Sequence, residues 1–143
     1  MSGDARFLLD TNVLSEPIRP DPSAAVAAWL RRTPTTALAA SVLSLGEVER
    51  GLALLPAGRR RDALLTWFSN DLLGLLGDRV LPVNRAVASA WARLGAAARQ
   101  AGRPLPDVDG LLLATAQVHG LTLVTRNVSD CAGRGVPTLN PWG

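Results

Sequence analysis

The chain has no lysine and no tyrosine, and a single cysteine and a single histidine. Cys131 alone rules out a framework of intrachain disulfides and a thiolate zinc site within one chain. It reads as a small packing residue in a loop or at a strand start. A catalytic thiol would need a basic partner, and His119 is the one histidine. Without lysine there is neither a G-x-x-x-x-G-K phosphate loop nor the lysine of a phosphate-accepting receiver module. No G-x-G-x-x-G follows a strand, which removes a dinucleotide-binding domain. Aromatics make up 4% of the chain, too few for a base-stacking platform. No apolar run approaches the ~20 residues that span a bilayer. Asp4 and Asp10 interrupt any basic-then-apolar leader pattern, so the expected compartment is the cytoplasm.

What is present describes one globular domain over residues 1–143, 48% hydrophobic and 19% charged. Net charge is +3, and all 15 basic residues are arginine. Arginine's rigid donor fork suits phosphate, although a genome rich in GC yields the same bias. A charge of +3 fits a nucleic-acid substrate without demanding one.

Strands and helices alternate along the chain. Residues 6–9 predict a buried strand, followed by a short helical turn toward Glu16 with Pro17 as breaker. Ser23 predicts the N-cap of a helix over 24–32. A second strand is expected from Thr35 to Ala40, then a helix from Ser41 to Leu55. Arg59 to Leu76 reads as one amphipathic helix and Val80 to Val83 as a third strand. Asn84 caps a helix reaching about Ala101. Asp107 to His119 follows, stopped by Gly120. Leu121–Thr125 and Thr138–Asn140 complete the strands. This order favours a parallel sheet with helices on both faces.

The most informative stretch is Phe7-Leu8-Leu9-Asp10-Thr11-Asn12, an apolar run that ends abruptly in an acid, a hydroxyl and an amide. A strand that delivers Asp10 to its carboxyl end puts it where ligands sit in parallel sheets. Further polar groups recur near strand ends and helix starts: Glu47, Asp107 with Asp109, and Asn127 with Asp130. Hard oxygen donors at one sheet edge suggest Mg²⁺ or Mn²⁺.

Each has a structural alternative. Asp10 suits an N-cap, and Ser44/Glu47 have capping-box spacing unless the helix starts near Ser41. One of Asp107 and Asp109 is expected as an N-cap. A turn accounts for Asn127 and Asp130. His119 is expected against the last carbonyls of its helix. Arg59-Arg60-Arg61 reads as a solvated helix start or a contact for RNA or a partner. Trp29, Trp67 and Trp91 are expected in the core. A haloacid-dehalogenase phosphatase needs a second acid where Asn12 stands.

Four segments resemble the motifs of the PIN domain, in order and across essentially the whole chain. They are Leu8–Ser15, Ser41–Glu47, Asp109–Ala116 with His119-Gly120-Leu121, and Val124–Asp130. The chain looks closest to VapC-type toxins of toxin–antitoxin pairs, in the FitB-like branch, whose chains also end near an Asn-Pro-Trp like Asn140-Pro141-Trp142. The resemblance implies a three-layer α/β/α fold around a mostly parallel sheet of four to five short strands. It implies a Mg²⁺-dependent (or Mn²⁺-dependent) endoribonuclease, a cognate VapB-like antitoxin and a homodimer. Asp10, Glu47 and Asp109 match the family's acidic core, and Asn127 stands where some members have Asp. Thr125 matches a hydroxyl near the metal, and Cys131 replaces a residue that is often aromatic. In this reading Asp10 and Asp109 hold the ion, and Glu47 acts through water or orients the nucleophile. Thr11, Asn12 and Asp130 support, and Arg126 meets a phosphate. Clustered carboxylates should raise at least one pKa. A PIN nuclease acting in RNA processing or on structured DNA, and a catalytically dead PIN scaffold, stay open as alternatives.

Overall fold

The computed structural model describes residues 4–143. The leader reading also concerns Met1–Gly3, which lie outside the described residues. Five parallel strands form one sheet in the order β3-β2-β1-β4-β5. They are β1 (Phe7–Leu9), β2 (Leu38–Ser41), β3 (Val80–Leu81), β4 (Thr122–Val124) and β5 (Thr138–Leu139). From β1 the chain steps outward to β2 and β3. It then crosses back to lay β4 on the other side of β1. The strand order therefore reverses between β1 and β4, and a crevice opens there at the carboxyl ends of the strands.

The helices are α1 (Thr11–Ser15), α2 (Ala24–Arg32), α3 (Val42–Ala53), α4 (Arg59–Thr66), α5 (Leu73–Leu76), α6 (Arg85–Gln100), α7 (Asp107–His119) and α8 (Val128–Cys131). Successive strand residues point to opposite faces, and the core divides accordingly. Leu9, Leu38, Ala40 and Val124 face one layer with Trp29, Leu45, Val48, Leu52 and Phe68. Leu8, Ala39 and Leu123 face the other, with Leu112, Leu113 and Ala116 of α7. Leu8 is fully buried at the centre. Each such side chain contributes about 1.5–3 kcal/mol over leaving it in water.

Several expectations need correction. The second strand starts later: Thr35–Ala37 is a 3₁₀ turn in which Ala37 N–H reaches Pro34 O at 3.0 Å, and β2 is the small-residue run Leu38–Ser41, buried throughout. Burial rather than β-propensity stabilises it. The third strand stops at Leu81, before Pro82, which has no N–H for the ladder. The helix over 59–76 is not uniform. Trp67–Leu72 widens into a π-helical segment, in which Phe68 and Leu72 are both buried. Asn127 precedes a short helix rather than a simple turn, Asp130 lies within that helix, and Cys131 lies buried on it. Trp91 is 36% exposed and outside the core. It lies over Gly110, where a Cβ would stand 3.1 Å from its Cδ1. Among the described residues no helix is long and apolar enough to cross a membrane.

Candidate active site

Asp10 leaves β1 at the crevice. Its Oδ1 accepts the Thr11 N–H at 2.6 Å, so it does cap α1. Its Oδ2 accepts the Thr125 hydroxyl at 2.8 Å. Thr125 follows β4 and is 1% exposed, so this bond spans the point where strand order reverses. The Thr125 oxygen also accepts the Asn127 N–H at 3.0 Å, which fixes the loop after β4.

Glu47 comes from α3. The N-cap of α3 is Ser41, whose Oγ accepts the Leu43 N–H at 3.1 Å, so the capping-box reading of Ser44/Glu47 falls away. Glu47 instead accepts the Thr11 hydroxyl at 2.5 Å, which ties α3 to α1. Beside it runs a groove of about 260 Å³ whose walls include Thr11, Glu47, Arg19, Arg60 and Leu64.

Asp109 sits in the first turn of α7, and the expected acidic N-cap is absent. The cap is Pro106, and Asp107 is exposed. Pro106 fixes the chain for helix entry with its ring, which leaves both carboxylates for other work. Asp109 is half-buried and accepts the Asn127 side-chain amide at 3.1 Å. The same nitrogen donates to Asp130 at 3.0 Å. Carboxylates only accept, so the nitrogen of Asn127 must be the atom that faces them. Asn127 thus bridges two acids as a donor. Asn12 is exposed, and its side chain makes no hydrogen bond with the described residues.

Burial raises the Asp109 carboxyl above its ordinary 3.8, followed by repulsion from Asp10 and Asp130; the Asn127 bond lowers it, and Glu47 raises it further. The expected raised carboxylate is therefore Asp109, and its perturbers are the other acids of the set. The Cys131 thiol is pushed up to about 11, first by burial and then by Asp109, Asp10 and Asp130. It is no nucleophile at neutral pH.

The donors are of the type that Mg²⁺ and Mn²⁺ prefer. Among the described residues no three His, Cys, Asp or Glu side chains stand as a ready coordination shell. Thr11, Thr125 and Asn127 instead hold the acids individually. Mg²⁺ takes one or two direct carboxylates and keeps its waters, so this looser set fits it.

His119 does not engage the last carbonyls of α7. Gly120 turns left-handed at φ 67° and its N–H caps Ala116 and Gln117, while Leu121 N–H reaches Ala116 O at 2.8 Å. The backbone has already satisfied those oxygens, and the buried Nε2 has no partner among the described residues. Glu16, expected as the end of the first helical turn, also has a structural role that the sequence pattern does not show. It is 4% exposed, accepts the Ser23 N–H at 3.0 Å, and closes the loop that follows α1. A lone acid before Pro17 carries no local signal of that distant bond.

The chain is a parallel α/β protein with carboxylates, hydroxyls and a bridging amide at its switch point, the place where sheets of this class bind ligands. Residues 7–129 match the PIN domain, and the chain belongs to that family. Toxin FitB of Neisseria gonorrhoeae is 36% identical over 136 residues, covering 95% of this chain and 98% of the relative. The VapC ribonuclease Y4jK of Sinorhizobium fredii is also 36% identical over 136 residues, with 95% and 97% covered. The solved structure of FitAB bound to an IR36 DNA fragment superposes at a TM-score of 0.93 with 34% identity, covering 96% of each chain.

Proposed function

We propose that this chain is the ribonuclease toxin of a toxin–antitoxin pair, cutting RNA at the acidic crevice with a divalent ion, Mg²⁺ or Mn²⁺. The observation that carries the reading is the gathering of acids from four parts of the chain: Thr125 holds Asp10, Thr11 holds Glu47 and Asn127 joins Asp109 to Asp130, and the Asp109 carboxyl is raised first by burial and then by Asp10, Asp130 and Glu47. Acids that repel one another across a sheet edge call for a cation. The names of the relatives, a FitB toxin and a VapC ribonuclease, support the same assignment.

Asp10 and Asp109 would hold the ion directly. Glu47, already engaged by Thr11, would act through water and orient the nucleophile. Thr125 keeps the Asp10 carboxylate aimed, and Asn127 ties Asp109 to Asp130. Asn12, exposed beside Thr11, would support the hydrated ion. When bound, the ion supplies Lewis acidity and lowers the pKa of water for in-line attack on the phosphodiester. Cleavage of that kind leaves a 3′-hydroxyl and a 5′-phosphate. Arg126, beside the cluster, is the phosphate contact.

The toxin reading also implies a homodimer and a VapB-like antitoxin segment across the crevice, both in the cytoplasm. The FitAB complex supports the antitoxin, and light scattering of the purified chain tests the dimer. The decisive experiment is total RNA incubated with the protein in Mg²⁺, in EDTA, and with Asp10→Asn, with the cut ends sequenced. Cleavage only by the parent chain with metal is expected. Equal cleavage by Asp10→Asn at saturating Mg²⁺ would overturn the assignment.

A further inference from the structure

The segment after β5 brings an aromatic ring to the same sheet edge. Asn140 Oδ1 accepts the Trp142 N–H at 2.9 Å, Gly143 N–H reaches Asn140 O at 3.3 Å, and Pro141 is buried. The indole packs against the core layer that contains Leu9 and Val13, so its place is fixed. The guanidinium carbon of Arg126 lies 5.1 Å from the centroid of that ring. Arg126 is exposed, between Thr125, which holds Asp10, and Asn127, which holds Asp109. Among the described residues no carboxylate forms an ion pair with it, although Asp10 and Asp109 are hydrogen-bonded to its two chain neighbours.

We propose that Trp142 is a positioning residue for RNA, carrying the Arg126 guanidinium on its ring face with the donor edge turned to a strand phosphate. The proposal rests on the nuclease reading above. In the proposed arrangement the flat face of the guanidinium lies on the ring, and its N–H groups lie in the plane. The edge stays available for two phosphate oxygens. The ring also keeps Arg126 out of the acidic cluster, where its charge would take the place of a metal ion. Pre-ordering the side chain removes part of the entropy lost when a phosphate binds.

Trp142→Leu keeps apolar packing and removes the aromatic ring; Trp142→Phe keeps a ring. Binding is read by anisotropy of a fluorescent, mixed-sequence single-stranded RNA over a salt series, and cleavage of the same RNA in Mg²⁺ gives KM and kcat. Trp142→Leu should weaken binding and raise KM about two- to fivefold at unchanged kcat. Trp142→Phe should restore most of that. The salt slope should fall in Trp142→Leu as in Arg126→Gln, and the double variant should lose no more than Arg126→Gln alone. In the free protein, the Arg126 Nε–H resonance should carry a ring-current shift that disappears in Trp142→Leu. An equal further loss on adding Trp142→Leu to Arg126→Gln would make the ring merely structural and overturn the proposal. So would parent-like behaviour of Arg126→Gln, which leaves the core untouched and tests the pair even where Trp142→Leu fails to fold. A parent chain that neither binds nor cleaves RNA sinks the nuclease reading and this proposal together. Intact cleavage with no effect of either residue sinks this proposal alone.

Discussion

Glu16 and Asp109 are both acids beside a helix start, yet only Glu16 has its charge answered from within the chain. Glu16 is 4% exposed, holds the Ser23 N–H, and has Arg19 at 3.9 Å. Asp109 faces three other acids and one amide. Two arginines repeat the contrast. Arg79 is 9% exposed, and its donors are spent on Leu38 O at 2.8 Å and Leu75 O at 2.6 Å. Arg126 is exposed, has its guanidinium carbon 5.1 Å from the Trp142 ring centroid, and is paired with no acid among the described residues. Glu16 and Arg79 are answered within the fold and help hold it together. Asp109 and Arg126 lie at the carboxyl end of the sheet, where an outside cation and an outside phosphate would complete them.

The two sets should fail in different assays. The largest effect belongs to Asp10→Asn, which should lower RNA cleavage at least about a hundredfold while circular dichroism and melting stay near the parent. Next is Arg79→Ala, which removes the donors of two backbone oxygens and should cost about 2–3 kcal/mol in urea denaturation. Its cleavage per folded molecule should not change, and a specific loss of activity there would break the comparison. Thr125→Val should fall between the two sets. It leaves Asp10 and the Asn127 N–H without their shared hydroxyl and should slow cleavage about tenfold, with Thr125→Ser restoring it. Parent-like rates in Thr125→Val would mean that Asp10 needs no such anchor.

Asp10 was legible because an apolar strand ends on it, and α3 was legible because Ser41 is a capping residue. Both signals are local. The Thr11–Glu47 bond joins residues 36 apart, and no periodicity announces it. The β2 boundary was misplaced because Thr35 and Thr36 have strand propensity but sit in a turn closed on Pro34. The cap of α7 was misassigned because an acid at a helix start looks the same whether it serves the backbone or a distant neighbour. Trp91 was misjudged because helical spacing gives a face without saying what covers it. Asn127 was legible as a member of the set, but its part as a donor bridge depends on where Asp109 and Asp130 lie in space.

Asp109 offers the smallest effect and a sharp test of the contrast. Its carboxyl is raised from 3.8, chiefly by burial and then by Asp10 and Asp130. The folded state therefore holds this proton more tightly than the unfolded state does. Stability from this group is fully present below the unfolded value and is lost as pH rises through the folded value. Asp109→Asn removes the titration. In EDTA, thermal melts of the variant should exceed those of the parent by a margin that grows as pH rises from below 3.8 and then levels off. Solvent around this half-buried group keeps the margin modest. Mg²⁺ should close part of it by stabilising the parent more than the variant, because the ion binds the folded carboxylates. A margin that ignores both pH and Mg²⁺ would make Asp109 an acid like Glu16, settled within its own fold.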